Sequence, residues 1–384
     1  MDERVLAEML PYFTQHFGNA ASVSHAYGWA ADAAIQKARQ SIATAIHASP
    51  EEIIFTSGAT EANNLAIKGV AEAYLNKGRH IVTVATEHNA VLDPCHYLAT
   101  LGFEVTILPV QSDGLLDLTT LEAALRPDTL LVSVMAANNE IGVLQPLAEI
   151  GALCHQAQVL LHTDAAQAIG KMPLDMQTLQ IDLMSLTAHK VYGPKGIGAL
   201  YVRRRNPKVQ LAPQLHGGGH ERGMRSGTLY TPQIVGFAKA IELAISNLTV
   251  ETQRIQALRD RLWHTLSQLD GIFLNGHPSQ RLPGNLNFSV AGVDGQALHL
   301  GLQSVVAVSS GSACTSAKIA PSHVLQALGR SPALAYASLR FGIGRFNTVA
   351  EIDQVAQATI STIQALRSHK ISDSSSQIPL SNPQ

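Results

Sequence analysis

Between Glu52 and Arg203 the chain alternates short apolar runs with longer segments whose apolar residues recur every three or four positions. The runs are Ile53 to Thr56, His80 to Ala85, Glu104 to Leu108, Leu130 to Ala136, Val159 to His162, Ile181 to Leu186 and Ala199 to Val202. Several are apolar throughout instead of alternating, as in a strand covered on both faces. Regular strand and helix alternation predicts an α/β fold with a mainly parallel sheet and helices on both of its faces. A helical pattern then runs from Gly236 through Leu269, followed by strand-like runs at Leu286 to Val290, Val305 to Ser309 and Ser338 to Ile343. This second pattern predicts a smaller α+β domain. The expected division is a large domain over residues 1–247, a small one over 248–371, and a polar tail over 372–384 with too little to bury to hold a structure.

In a doubly wound sheet, ligands bind beyond the carboxyl ends of the strands. The residues just after the runs are polar: Ser57-Gly58-Ala59-Thr60, Glu87-His88-Asn89, Asn138-Asn139-Glu140, Asp164-Ala165-Ala166-Gln167 and Thr187-Ala188-His189-Lys190. Loops are commonly polar, so each alone says little, but five on one edge define a candidate site.

Composition narrows what that site can hold. The 46% apolar and 15% charged content is that of a globular chain, and no apolar run approaches the length of about 18 residues needed for a membrane span. With 27 Lys+Arg against 29 Asp+Glu the net charge is −2, so neither nucleic acid nor an anionic membrane is an expected partner, and a bound anion must meet a local site. Cys95, Cys154 and Cys314 lack the paired spacing of a zinc site or a disulfide framework, so no metal is expected. The first fifteen residues lack the basic start and apolar stretch of a signal peptide. A reducing, cytoplasmic location is therefore expected.

Three features carry chemistry. Thr56-Ser57-Gly58-Ala59-Thr60 leads from a strand into a helix with apolar positions Ala62, Leu65, Ala66 and Val70, which puts free backbone N–H groups where a phosphate could bind. Asp164 ends one run and Lys190 follows the next, a carboxylate and an amine at neighbouring strand ends. Pyridoxal phosphate requires such a pair: an amine to capture its aldehyde and an acid to keep its ring nitrogen protonated. Finally, Cys314 lies in Ser309-Ser310-Gly311-Ser312-Ala313-Cys314-Thr315-Ser316, a stretch of small residues unlike the surroundings of a core cysteine, whereas Cys95 and Cys154 keep that ordinary reading.

With these residues in view, the chain resembles the NifS/IscS-type cysteine desulfurases of the class V aminotransferase family. The resemblance runs from about Phe17-Gly18-Asn19 to about Arg345 and includes Asn138-Asn139-Glu140-Ile141-Gly142 and His189-Lys190-Val191-Tyr192-Gly193-Pro194-Lys195-Gly196. More specific are Gly217-Gly218-Gly219-His220-Glu221-Arg222-Gly223-Met224-Arg225-Ser226-Gly227-Thr228 and the segment from Ser309 to Ser316, which resemble the members with a long cysteine loop. The resemblance implies the aspartate aminotransferase-like fold of PLP-dependent transferases (fold type I). It also implies that Lys190 holds pyridoxal 5'-phosphate covalently, Asp164 pairs with the ring nitrogen, Gln167 reaches the ring hydroxyl and His88 stacks on the ring. Ala59, Thr60, Thr187 and His189 would hold the phosphate, joined by Thr228 from a second subunit of a homodimer. Asn139 and Arg340 would take the substrate carboxylate.

The implied activity converts L-cysteine to L-alanine, with the sulfur held as a persulfide on Cys314 for a sulfur acceptor such as an iron–sulfur scaffold. Lys190 would remove the α-proton and His88 would manage protons. Two departures accompany the resemblance: the family's usual opening strand, before the segment matched by Asp2-Glu3-Arg4-Val5, is missing from residues 1–247, and the polar tail differs from the extended ending of some relatives. An aminotransferase or selenocysteine lyase of the same fold, and a non-catalytic sulfur-assembly partner, remain open alternatives on sequence alone.

Overall fold

A computed structural model describes residues 1–310 and 321–375. It forms two compact units, the first made of Met1–Gln111, Leu115–Asn139 and Leu144–Leu248, the second of Ser112–Gly114, Glu140–Val143 and the described residues from Thr249 onward.

Among the described residues the first unit has a seven-stranded sheet: β1 (Ile53–Thr56), β2 (His80–Val84), β3 (Glu104–Leu108), β4 (Thr129–Ser133), β5 (Leu160–Asp164), β6 (Leu183–Thr187) and β7 (Gly198–Val202), in the order β1-β7-β6-β5-β4-β2-β3. The pairs β2–β3, β2–β4, β4–β5 and β5–β6 are parallel, while β7 runs antiparallel to both β6 and β1. Two reversals give β1 the direction of β6, so the ends of β1, β2, β4, β5 and β6 face the same edge. Five strands are buried along their whole length, as the continuous apolar runs require; β3, at the far edge, is partly exposed. The sheet is covered by crossover helices. In the helix Ala59–Ala73, Ala62, Leu65, Ala66 and Val70 form the buried stripe and cluster with Ile81, Leu131 and Leu200 of the sheet. Each larger side chain so buried contributes about 1.5–3 kcal/mol relative to exposure.

A histidine ties the central strands together. His162 of β5 lies between Ser133 Oγ of β4 at 2.8 Å and Ser185 Oγ of β6 at 3.0 Å. Burial pushes its pKa down to about 3, so it stays a neutral crosslink two residues before the end of β5.

The second unit has a four-stranded antiparallel sheet made of β8 (Ile272–Leu274), β9 (Asn285–Val290), β10 (Ser309–Ser310) and β11 (Ser338–Gly342), in the order β10-β11-β9-β8. Leu258 and Leu262 of the helix Leu248–Leu266 and Ile363 of the helix Val349–Ser375 pack with Phe288, Leu339 and Phe341. Here the structure differs from the periodicity in four ways. The helical stretch from Gly236 to Leu269 is two helices, Thr231–Ser246 and Leu248–Leu266. In the run from Val305 to Ser309, the N–H groups of Val305 and Val306 bond to Leu302 O as a turn, which leaves only Ser309–Ser310 as strand. Strand β8 has too few residues to show a period. The last helix continues to Ser375, past residue 372; residues 376–384 of the expected tail lie outside the described residues. Among the described residues no helix is long and apolar enough to cross a membrane.

Candidate active site

Register explains how the strand ends converge. Gly198 of β7 stands opposite both Thr56, the last residue of β1, and Thr187, the last of β6. A Cβ on Gly198 would lie 2.7 Å from Gly58 Cα, so only glycine lets the chain leaving β1 cross here. Gly58, with φ of 153°, then caps the helix Ala59–Ala73, whose start has no side-chain cap, and a Cβ built on it would come 3.8 Å from Thr187 Oγ1. Ala59 and Thr60 thus open an uncapped helix beside the Thr187 hydroxyl, which is itself within 2.9 Å of His189 Nδ1. Unpaired N–H donors, a helix dipole and a hydroxyl suit a phosphate.

The Gly-rich segment is held against this corner by two ion pairs. Arg39 binds Glu221 through two bonds of 2.7 and 2.8 Å, and Glu221 also accepts from Phe55 N of β1 at 2.7 Å. Arg225 binds Glu61, in the first turn of the helix, at 2.7 Å. Burial raises the pKa of Glu61, but bonds from Arg225 and Ser57 outweigh it and keep the carboxylate below its ordinary value. Its charge beside the helix start is thereby neutralised. Thr228, farther along the same segment, is exposed.

Asp164 ends β5 as a buried residue, accepting from Asn63 Nδ2 at 2.7 Å and from Ala166 N at 2.9 Å. Burial pushes its pKa above the ordinary aspartate value; the two bonds, His88 and Lys190 pull the other way. A cationic partner, such as a protonated ring nitrogen, would favour the ionised form. Lys190 lies in the turn His189–Val191 after β6, with its side chain exposed. Burial and the charges of Lys190 and Lys195 lower the pKa of His189. His88 caps the helix Asn89–Thr100 after β2, Nδ1 accepting from Ala90 N at 3.0 Å. The turn after β5 carries Gln167. Asn138 Nδ2 donates to Thr86 O at 2.8 Å, which ties the segment carrying Asn139 to the end of β2.

The first unit therefore brings together Ala59, Thr60, His88, Asp164, Gln167, Thr187, His189 and Lys190 along one sheet edge, where a phosphate cradle, a buried acid and an accessible amine fit pyridoxal phosphate. Asn139 belongs to the first unit and Arg340, on β11, to the second. Cys314 lies outside the described residues. The other two cysteines are buried, and burial, aided by Glu87 beside Cys95 and Asp182 beside Cys154, pushes both thiols up to about 12. They are protonated and enclosed at neutral pH.

Sequence reasoning missed Asn63 and Lys171, and it placed Glu87 among the polar residues after the strands without giving it a role. Asn63 had a signal, since it is a polar residue beside Ala62, Ala66 and Val70 on an otherwise apolar stripe. Glu87 is fully buried and its Oε1 accepts from Met135 N at 2.6 Å. Burial pushes its pKa well above the ordinary value, and the nearby Asp164 adds to the shift. Its local sequence marks it only as a polar residue after an apolar run.

Known proteins share this fold and much of this sequence. The Aminotransferase class-V family matches residues 1–355. Among curated proteins, cysteine desulfurase IscS of Dechloromonas aromatica (strain RCB) is 53% identical over 368 residues, covering 96% of this chain and 90% of the relative. The cysteine desulfurase of Mus musculus is 53% identical over 368 residues, covering 96% of this chain and 80% of its own. Among solved structures, a NifS-like protein superposes with a TM-score of 0.89 at 37% identity, covering 95% of this chain and 97% of that one. The structure described as SspA in complex with cysteine gives a TM-score of 0.79 at 36% identity, covering 91% and 97%. By its fold, by the residues at its sheet edge and by this extent of similarity, the chain belongs to the class-V aminotransferase family.

Proposed function

We propose that the chain is a pyridoxal-phosphate-dependent cysteine desulfurase. The observation that carries the reading is the pairing of buried Asp164 with accessible Lys190 at adjacent strand ends, beside the uncapped start of the helix Ala59–Ala73. The curated relatives at 53–55% identity over more than nine-tenths of the chain support cysteine as the substrate.

The cofactor would be held by Lys190 through Nζ, by Asp164 at the ring nitrogen, by Gln167 at the ring hydroxyl, by His88 against the ring, and by Ala59, Thr60, Thr187 and His189 at the phosphate. When bound, it supplies an electron sink for charge developing on the substrate carbons. By the family resemblance, Asn139 and the planar guanidinium of Arg340 would take the substrate carboxylate. Lys190 Nζ, once free, accepts the α-proton, and His88 exchanges protons with the substrate. The Cys314 thiolate attacks the substrate sulfur. The S–S bond forms as the Cβ–S bond breaks, and the electron pair of the broken bond stays with carbon, which is protonated and released as alanine. The balance is one enzyme thiol and one cysteine giving one persulfide and one alanine.

A homodimer with Thr228 completing the partner's phosphate site is supported by the exposure of Thr228 and by exposed aromatic residues in the first unit. Tyr230 packs edge-on against Phe13 at 6.2 Å, Phe17 stacks on Tyr27 at 5.6 Å, and all four rings are at least 46% exposed. Exposed aromatic pairs of this kind are candidate contact surfaces for a partner. The persulfide would pass to a sulfur-acceptor protein, an iron–sulfur scaffold being one, in the cytoplasm.

Product analysis tests the activity. The purified holoenzyme given cysteine alone should release alanine in step with sulfide or persulfide; a keto acid formed only with an added amino acceptor would make it an aminotransferase.

A further inference from the structure

The turn after β5 carries a second amine beside Lys190. Ala168 N bonds to Ala165 O at 3.0 Å and Lys171 N to Ala168 O at 2.9 Å, so the segment coils tightly from Asp164 to Lys171. Gly170 sets its path. It has φ of 70°, and a Cβ there would stand 2.6 Å from Val191 Cγ2 and 2.7 Å from Ala244 Cβ. Only glycine lets the turn press this closely on the residue next to Lys190. The half-buried Lys171 side chain folds back along the turn, and its Nζ donates to Gln167 Oε1 at 3.2 Å. Burial, with the positive charge of Lys190, pushes the Lys171 pKa down to about 8.

The direction of that bond matters. A lysine ammonium has donors and no acceptor, so it can engage only the oxygen end of a carboxamide. With Oε1 bound to Lys171, the Gln167 NH2 group is presented on the other side. An unconstrained glutamine turns readily about its last torsion and can offer either end. A ring hydroxyl that has lost its proton accepts from the NH2 group and is repelled by the oxygen. We propose that Lys171 is a positioning residue that fixes the Gln167 carboxamide with its NH2 toward the ring oxygen of the bound cofactor. This rests on the reading above that Gln167 reaches that oxygen.

The test is the pH midpoint of the bound cofactor's visible absorption band, measured by titrating holoenzyme without substrate. Variants are Gln167→Ala, Lys171→Met, Lys171→Arg and the double variant Gln167→Ala/Lys171→Met, with Lys171→Gln as a second replacement if Lys171→Met does not fold. Gln167→Ala should shift the midpoint, and Lys171→Met should shift it the same way by at least half as much. The double variant should move no further than Gln167→Ala, and Lys171→Arg should stay near the native midpoint. A shift in Gln167→Ala with none in Lys171→Met overturns the role of Lys171 while the Gln167 reading stands. No shift in either overturns both. If the effect of Lys171→Met persists in full when Gln167 is already absent, the lysine acts by its charge alone and the positioning role is wrong.

Discussion

Asn63 Nδ2 donates to Asp164 Oδ2 at 2.7 Å across 101 positions of sequence, so a helix residue holds the acid at the end of β5 and opposes the effect of burial on it. Asn63→Leu keeps the γ-branched shape of the side chain and removes one of the two bonds that oppose the effect of burial on Asp164. Hydrogen bonds to charged groups contribute about 1.5–3 kcal/mol. Cofactor affinity should fall by roughly tenfold or more, a change of about 1.4 kcal/mol per decade. Equilibrium dialysis of cofactor against the variant measures it; unchanged affinity would mean that Asp164 does not bear on the ring.

Glu87 predicts a pH effect on stability. Its folded pKa is raised, so the folded chain holds a proton that the unfolded chain releases above about pH 4. Stability attached to this group is therefore fully present below that pH and is lost as pH rises through the raised folded value. Glu87→Gln keeps an acceptor for Met135 N without a titrating proton. Urea midpoints of the cofactor-free protein should fall less steeply with rising pH in Glu87→Gln than in the native chain. Parallel profiles would contradict the assignment of a neutral Glu87.

The Arg39–Glu221 pair is buried on both sides, at 4% and 2% side-chain exposure. Breaking such a pair by removing one partner costs about 3–5 kcal/mol, since the other charge is left buried. Arg39→Leu should lower the urea midpoint accordingly. The paired change Arg39→Leu/Glu221→Leu should recover part of the loss. If the single variant is as stable as the native chain, the Gly-rich segment is not anchored by this contact.

The continuous apolar runs made β1, β4, β5 and β6 legible, because strands buried on both faces need such runs, and each strand end delivered its polar residues to the expected edge. Periodicity carries no strand direction, and so the antiparallel course of β7 was hidden. The brief β8 was hidden as well, since three residues show no period. Lys190 and Asp164 stood out because they follow strands. Asn63 and Glu87 did not, for each acts through a partner that only folding brings near, Asp164 and Met135; Lys171 lies four positions from Gln167, in a turn that shows no period. The Asn63 position shows the one usable signal, a polar residue on an apolar helix stripe.

In the proposed reaction sulfur passes from cysteine to Cys314 at a site organised by Lys190 and Asp164. The most direct measurement is peptide mass spectrometry of holoenzyme quenched during turnover with cysteine, run on the native chain and on Cys314→Ala. The native enzyme should carry one added sulfur on the peptide containing Cys314, and Cys314→Ala should bind cofactor yet make neither persulfide nor most of the alanine. Added sulfur on Cys95 or Cys154, or undiminished alanine from Cys314→Ala, would rule out Cys314 as the sulfur carrier.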